Sequence, residues 1–161
     1  MPSQTSLAAL VESGGVYYNI GGSTPAEVLR EALRALALPK GLDREALLKA
    51  VLEREALMPT AIGNGVAIPH PRNPAISDRA LQRVFVLFLK VPVSYNALDR
   101  KPVDCLFFIL SAESRSHLAA LAALGHLCQG HGFIELLATR PSKEELVAFI
   151  AKEEATWAAG A

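Results

Sequence analysis

Two stretches leave this chain little freedom. Leu81 to Val91 (LQRVFVLFLKV) and Val103 to Leu110 (VDCLFFIL) are β-branched and aromatic, with no glycine or proline inside them. Runs of this kind read as strands. A strand with one face in water alternates apolar and polar residues. These are apolar almost throughout, so both faces need cover. The layers that provide it have to come from the rest of the chain, which is written largely in helical periods.

The helix starts are marked. Thr24, Pro25 and Glu27 fit the N-cap, N1 and N3 positions of a capping box. Val28, Leu29, Ala32, Leu33 and Leu36 then share one helical face, with Pro39 and Gly41 placed to end the helix. Asp43 caps a helix expected to run to about Ala56, with Leu47, Leu48, Val51 and Leu52 inward and Arg44, Lys49 and Glu53 in solvent. Upstream, Ser6 to Glu12 reads as a short helix stopped by Gly14-Gly15, and Val16 to Ile20 as a strand. Beyond the long strands, a helix is expected from Ser116, where His117, Leu118, Leu121, Leu124 and Cys128 recur at helical spacing. Gly132 to Ala138 reads as a short helix, and Ser142 with Glu145 opens a last one at Lys143. The expectation is an α/β fold: a single layered domain over residues 1–161, with a mixed β-sheet flanked by helices on both sides.

Composition removes several function classes. Sixteen Lys and Arg balance sixteen Asp and Glu, so the chain has no bulk charge with which to hold nucleic acid. Cys105 and Cys128 are too few for a disulfide framework and stand in apolar runs, which predicts buried free thiols. The start, MPSQTSLAAL, lacks the charged and then apolar regions of a secretory leader. No apolar run reaches the roughly 20 residues of a membrane span. A cytoplasmic protein with no membrane insertion is expected.

Residues 58–76, MPTAIGNGVAIPHPRNPAI, break the helical and strand patterns and read as a structured loop, with at most a short strand at Val66 to Ile68. Asn64 between two glycines suits a left-handed turn. Pro69 and Pro71 flank His70 and restrict the backbone on both sides of it. Two readings follow: a presented, reactive imidazole, or a turn histidine with a satisfied hydrogen bond. His117 opens a helix after a strand, a place at the core edge where α/β sheets also bind anions. Arg54, within Glu53-Arg54-Glu55, leads into the glycine loop. His126 and His131 read as structural. His117 and His126 are nine residues apart, about 180° around a helix, and no His-x-x-x-His is present, so no metal site is expected. No GxGxxG and no Gly-x-Ser-x-Gly occur, so no dinucleotide cofactor and no acyl transfer are expected either.

Arg54-Glu55 followed by Met58-Pro59-Thr60-Ala61-Ile62-Gly63-Asn64-Gly65-Val66-Ala67-Ile68-Pro69-His70 closely resembles the active-site segment of the enzyme IIA domains of the bacterial phosphotransferase system. The class is that of fructose and mannitol, which includes the nitrogen-regulatory IIA proteins. Leu98 to Cys105 (LDRKPVDC) resembles the family's hairpin into the next strand, and Ser116-His117-Leu118 its helix with a second histidine. The resemblance spans about Leu7 to Ile150. It implies that His70 accepts a phosphoryl group from the histidine phosphocarrier protein. His70 then passes it to a IIB domain, or keeps it as a mark read by a regulatory target. It further implies that His117 hydrogen-bonds the imidazole or the phosphoryl group and that Arg54 supplies positive charge. Thr60 and Asn64 are expected as secondary phosphate donors, and no cofactor is required. The docking surface is expected to be apolar, with Ile62, Val66 and Ile68 beside the site and some of them in the core. Arg115 and Ser116 stand where relatives often carry acidic residues. A sugar-specific transport component, or a binding module on the same fold without phosphotransfer, are the alternatives.

Overall fold

The computed structural model describes residues 5–160; Ala161 and the first four residues of the start read above lie outside them. In chain order the elements are α1 (Leu7–Gly14), β1 (Val16–Ile20), α2 (Pro25–Ala35), α3 (Arg44–Leu57), β2 (Ala61–Gly63), β3 (Val66–Ala67), β4 (Arg83–Val93), β5 (Val103–Leu110), α4 (Ser114–Cys128), α5 (His131–Ala138) and α6 (Lys143–Gly160). The five strands form one sheet in the order β1-β4-β5-β3-β2. The two long strands are its antiparallel centre, paired from Arg83 with Leu110 to Phe88 with Cys105. β1 runs parallel to β4, and β3 parallel to β5.

The apolar runs divide by parity, as a pleated strand requires. Val84, Val86 and Phe88, with Cys105, Phe107 and Ile109, face a core closed by α1, α4, α5 and α6 through Leu10, Val11, Leu124, Phe133 and Ile150. Phe85, Leu87 and Leu89, with Leu106, Phe108 and Leu110, face a second core closed by α2 and α3 through Leu29, Leu33, Leu47 and Val51. The expected mixed sheet with helices on both sides is therefore the one observed. At one point the contact is backbone on backbone: a Cβ added at Gly14 would stand 2.0 Å from the Val84 carbonyl oxygen. Only glycine lets α1 lie that close to β4.

Several boundaries differ from expectation, each for a local reason. The 58–76 segment is mainly loop, as expected, but holds one strand more than expected: β2 and β3 form an antiparallel hairpin around Asn64, whose φ is 56° between Gly63 at 96° and Gly65 at 81°. Strands of three and two residues carry no readable period, and Ile68 lies just past β3. α2 stops at Ala35, ahead of Pro39. Arg44 explains this and is itself a correction: half-buried rather than left in solvent, its guanidinium donates to the carbonyls of Leu33 and Leu36 and so satisfies the end of α2. β4 begins at Arg83, since Leu81 lies in a 3-10 turn, and continues to Val93 through Pro92. The pairing is irregular between Phe88 and Val93, which is where a residue without an N–H is tolerated. α4 starts at Ser114, and Leu118 points outward, 62 % exposed. Among the described residues no helix is long and apolar enough to cross a membrane.

Candidate functional site

The hairpin sets His70 in place. Beyond Ala67 the chain keeps to the flank of β5, with Ile68 N–H donating to Thr60 O at 3.0 Å and Ile109 N–H donating to Pro69 O at 3.1 Å. His70 thus leaves the carboxyl end of β3 beside the carboxyl end of β5. The chain leaving β5 passes Ser111 and enters α4, whose fourth residue is His117. Carboxyl ends of neighbouring parallel strands are where open α/β sheets bind ligands. Here they bring the His70 and His117 rings to 4.4 Å between centroids, tilted by 53°.

His70 is only 8 % exposed, and its Nδ1 lies 2.7 Å from Ile68 O. A carbonyl oxygen can only accept, so Nδ1 carries the proton and Nε2 the lone pair. Burial lowers the pKa of His70, the bond to Ile68 opposes this, and the Arg54 charge adds to it. His117 is pushed down to about 4, first by burial, then by His70 and Arg54. Both rings are therefore neutral at pH 7.

Arg54 comes from the other helical layer, on the last turn of α3, where its Nη1 donates to Met58 O at 2.9 Å. Its charge reaches both rings. The structure thus brings His70, His117 and Arg54 to one seam between the two layers. It does not bring Thr60 and Asn64 to that place. Thr60 is buried, and its N–H and Oγ1 each donate to the Glu55 carboxylate at 2.7 Å, so its hydroxyl proton is already used. Asn64 donates through Nδ2 to Cys128 O at 3.0 Å and through its backbone N–H to Asp99 at 2.8 Å. Cys128 ends α4, about 16 Å along the axis from His117. Both residues shape the hairpin rather than reach a group on His70.

Glu55 is the residue that sequence reasoning passed over. Its carboxylate ties the end of α3 to the start of β2, and the only trace of this in the sequence is an acid five residues before a threonine. Of the apolar residues expected on the docking surface, Val66 and Ile68 belong to the core, and Ile62 is exposed. The exposed apolar side chains that follow Arg54 and His117 are instead Leu57, Met58 and Leu118. Cys105 and Cys128 are buried free thiols, as expected; burial pushes Cys128 up to about 12 and Cys105 well above its ordinary value. His126 stands edge-on to Trp157 at 4.6 Å, and His131 lies exposed at the start of α5. Among the described residues no three His, Cys, Asp or Glu side chains are grouped to hold a metal ion.

Comparison with known proteins places this arrangement among others. The family model described as "Phosphoenolpyruvate-dependent sugar phosphotransferase system, EIIA 2" matches residues 10–153. A "Nitrogen regulatory protein" of Bradyrhizobium diazoefficiens is 31% identical over 134 residues, covering 81% of this chain and 84% of that one. The crystal structure of nitrogen regulatory protein IIA-Ntr from Neisseria meningitidis superposes with a TM-score of 0.73 at 27% identity, covering 86% and 93%. The fold alone is shared with enzyme IIA mannitol of Escherichia coli, solved in complex with phosphorylated enzyme IIB mannitol: TM-score 0.61, 21% identity, 86% and 94% covered.

Proposed function

Since the chain belongs to the EIIA 2 family of the phosphoenolpyruvate-dependent sugar phosphotransferase system, we propose that it is a single-domain phosphoryl carrier with His70 as acceptor and a regulatory role. The observation that carries this reading is the bond between His70 Nδ1 and Ile68 O. It fixes the tautomer, pins the ring and leaves Nε2 as a nucleophile whose lone pair is not lost to protonation. The donor is the histidine phosphocarrier protein. The His70 Nε2 lone pair forms a new N–P bond, and the bond between phosphorus and the donor's imidazole nitrogen breaks, its electron pair returning to that nitrogen. No metal is needed for this exchange, only in-line approach and positive charge beside the oxygens. Arg54 supplies the charge, and His117, held neutral, offers a ring N–H to a phosphoryl oxygen.

The reverse of the same step hands the group to a IIB domain or leaves it as a mark that a target protein reads. The names of the Bradyrhizobium and Neisseria relatives support regulation, and the family's description supports sugar transport as the second reading. Incubation with phosphoenolpyruvate, enzyme I and the carrier protein is expected to place acid-labile phosphate on this chain, found by mass spectrometry at alkaline pH. His70→Gln is expected to take none, and His117→Ala to be labelled more slowly. An unlabelled wild type, or full labelling of His70→Gln, overturns the proposal.

A further inference from the structure

We propose that Arg72 is a second phosphoryl-binding cation, reaching the group on His70 from the loop that follows it. This rests on the reading of His70 as acceptor and adds a residue to that site. A phosphoryl group brings about −1.5 to −2 charges at neutral pH. Both imidazoles are neutral, and Arg54 supplies one positive charge with one of its nitrogens already bonded to Met58 O. About half to one negative charge is left without a partner.

Arg72 is exposed and walls two spaces at once. One is a cavity of about 760 Å³ that it shares with Arg54; the other is a cleft of about 30 Å³ that it shares with His117, Ser111 and Ser114. The cleft, lined by His117 and not by His70, holds little more than one water or one oxygen atom, so a phosphoryl group beside His117 has to be met from its rim. Arg115, though close to His117 in sequence, lines neither space.

Among the described residues Arg72 has no ion-pair partner, whereas Arg79, the next cation along the chain, is held by Glu113 at 3.4 Å. Two acids stand on the wall of the larger cavity: Asp43 is taken up by the N–H groups of Glu45 and Ala46 at the start of α3, and Glu53 is exposed to solvent. Pro71 and Pro74 bracket Arg72 and Asn73, which limits the freedom lost when the loop is held. A planar fork of donors suits phosphate oxygens better than a point charge does. In transfer Arg72 forms and breaks no covalent bond and moves no proton; it neutralises the oxygens while phosphorus passes between the two imidazole nitrogens.

The test is the rate of phosphoryl transfer from the phosphorylated carrier protein to wild type, Arg72→Gln and Arg72→Lys, beside their melting temperatures. Arg72→Gln is expected to lower the first-order rate at saturating donor about 10- to 100-fold, the range of a lost charged hydrogen bond, with the melting temperature unchanged. Arg72→Lys is expected to recover part of the loss. Equal first-order rates for wild type and Arg72→Gln overturn the assignment. So does an effect confined to the donor concentration at half-saturation and abolished by high salt, since that makes Arg72 a docking residue. A wild type that takes no label removes the acceptor reading itself, and this inference with it, while normal labelling with an indifferent Arg72→Gln removes this inference alone.

Discussion

An imidazole that accepts a phosphoryl group has to offer a lone pair at the pH where it works, and lowering its pKa widens that range. At this site burial and Arg54 act together on His70 and His117, and the same shifts bear on stability. In the unfolded chain a histidine takes up its proton near pH 6.5; folded His117 does so only near pH 4. Between these values the unfolded chain binds a proton that the folded one does not. Stability is therefore full above about pH 6.5 and falls as pH drops toward 4. Urea unfolding at a series of pH values is expected to show this decline, and His117→Gln to flatten it; equal slopes in the two proteins would clear His117 as its source. At this scale His70, His117 and Arg54 were legible as a set only through the family resemblance, since the proline-clamped histidine alone leaves two readings open and a helix-start histidine or an arginine before a glycine loop carries no local signature of a role. The bonds that Thr60 and Asn64 make are not legible in the sequence, because their partners, the Glu55 carboxylate and the Cys128 carbonyl, are chosen by the way the hairpin docks and not by neighbours in sequence.

Among the elements, legibility followed length. β1 and β5 have the bounds that their residue types predict, and the capping signals at Thr24, Asp43 and Ser142 all mark real helix starts. The β2–β3 hairpin stayed hidden because two or three residues cannot show a period. The end of α2 stayed hidden because Arg44, from the following helix, satisfies its carbonyls. The packing of α1 on β4 gives a prediction in which two principles oppose each other. By helix propensity alone, Gly14→Ala should stabilise by about 1 kcal/mol. By packing, a methyl group 2.0 Å from Val84 O forces α1 off the sheet, a cost of about 1–3 kcal/mol or more. The contact is expected to win, so the midpoint of denaturant unfolding should fall; a rise would mean that α1 shifts freely on β4.

For the molecule as a whole, the even balance of charges means that its field is set by small additions. The sequence pI is near 6.9, and one phosphoryl group adds about −1.5 to −2 charges. Native isoelectric focusing of the labelled protein is expected to show a single acidic shift, absent from His70→Gln; a second shifted band would reveal another acceptor. The overall architecture was legible because two strands buried on both faces admit only a three-layer arrangement. The seam was not, since no sequence pattern says that the end of α3 and the start of α4 lie by the carboxyl ends of the same strands, β3 and β5. Arg54 hangs from a helix of one core, His117 from a helix of the other, and His70 from the sheet between them. The spacing of cation and imidazole is thus a reading of the thickness of the entire sandwich. A methyl group lost at Val51 or at Leu124, neither of which carries a reacting atom, would be registered at the site as a change of rate. Both hydrophobic interiors serve as the two jaws of a caliper closed on the reaction.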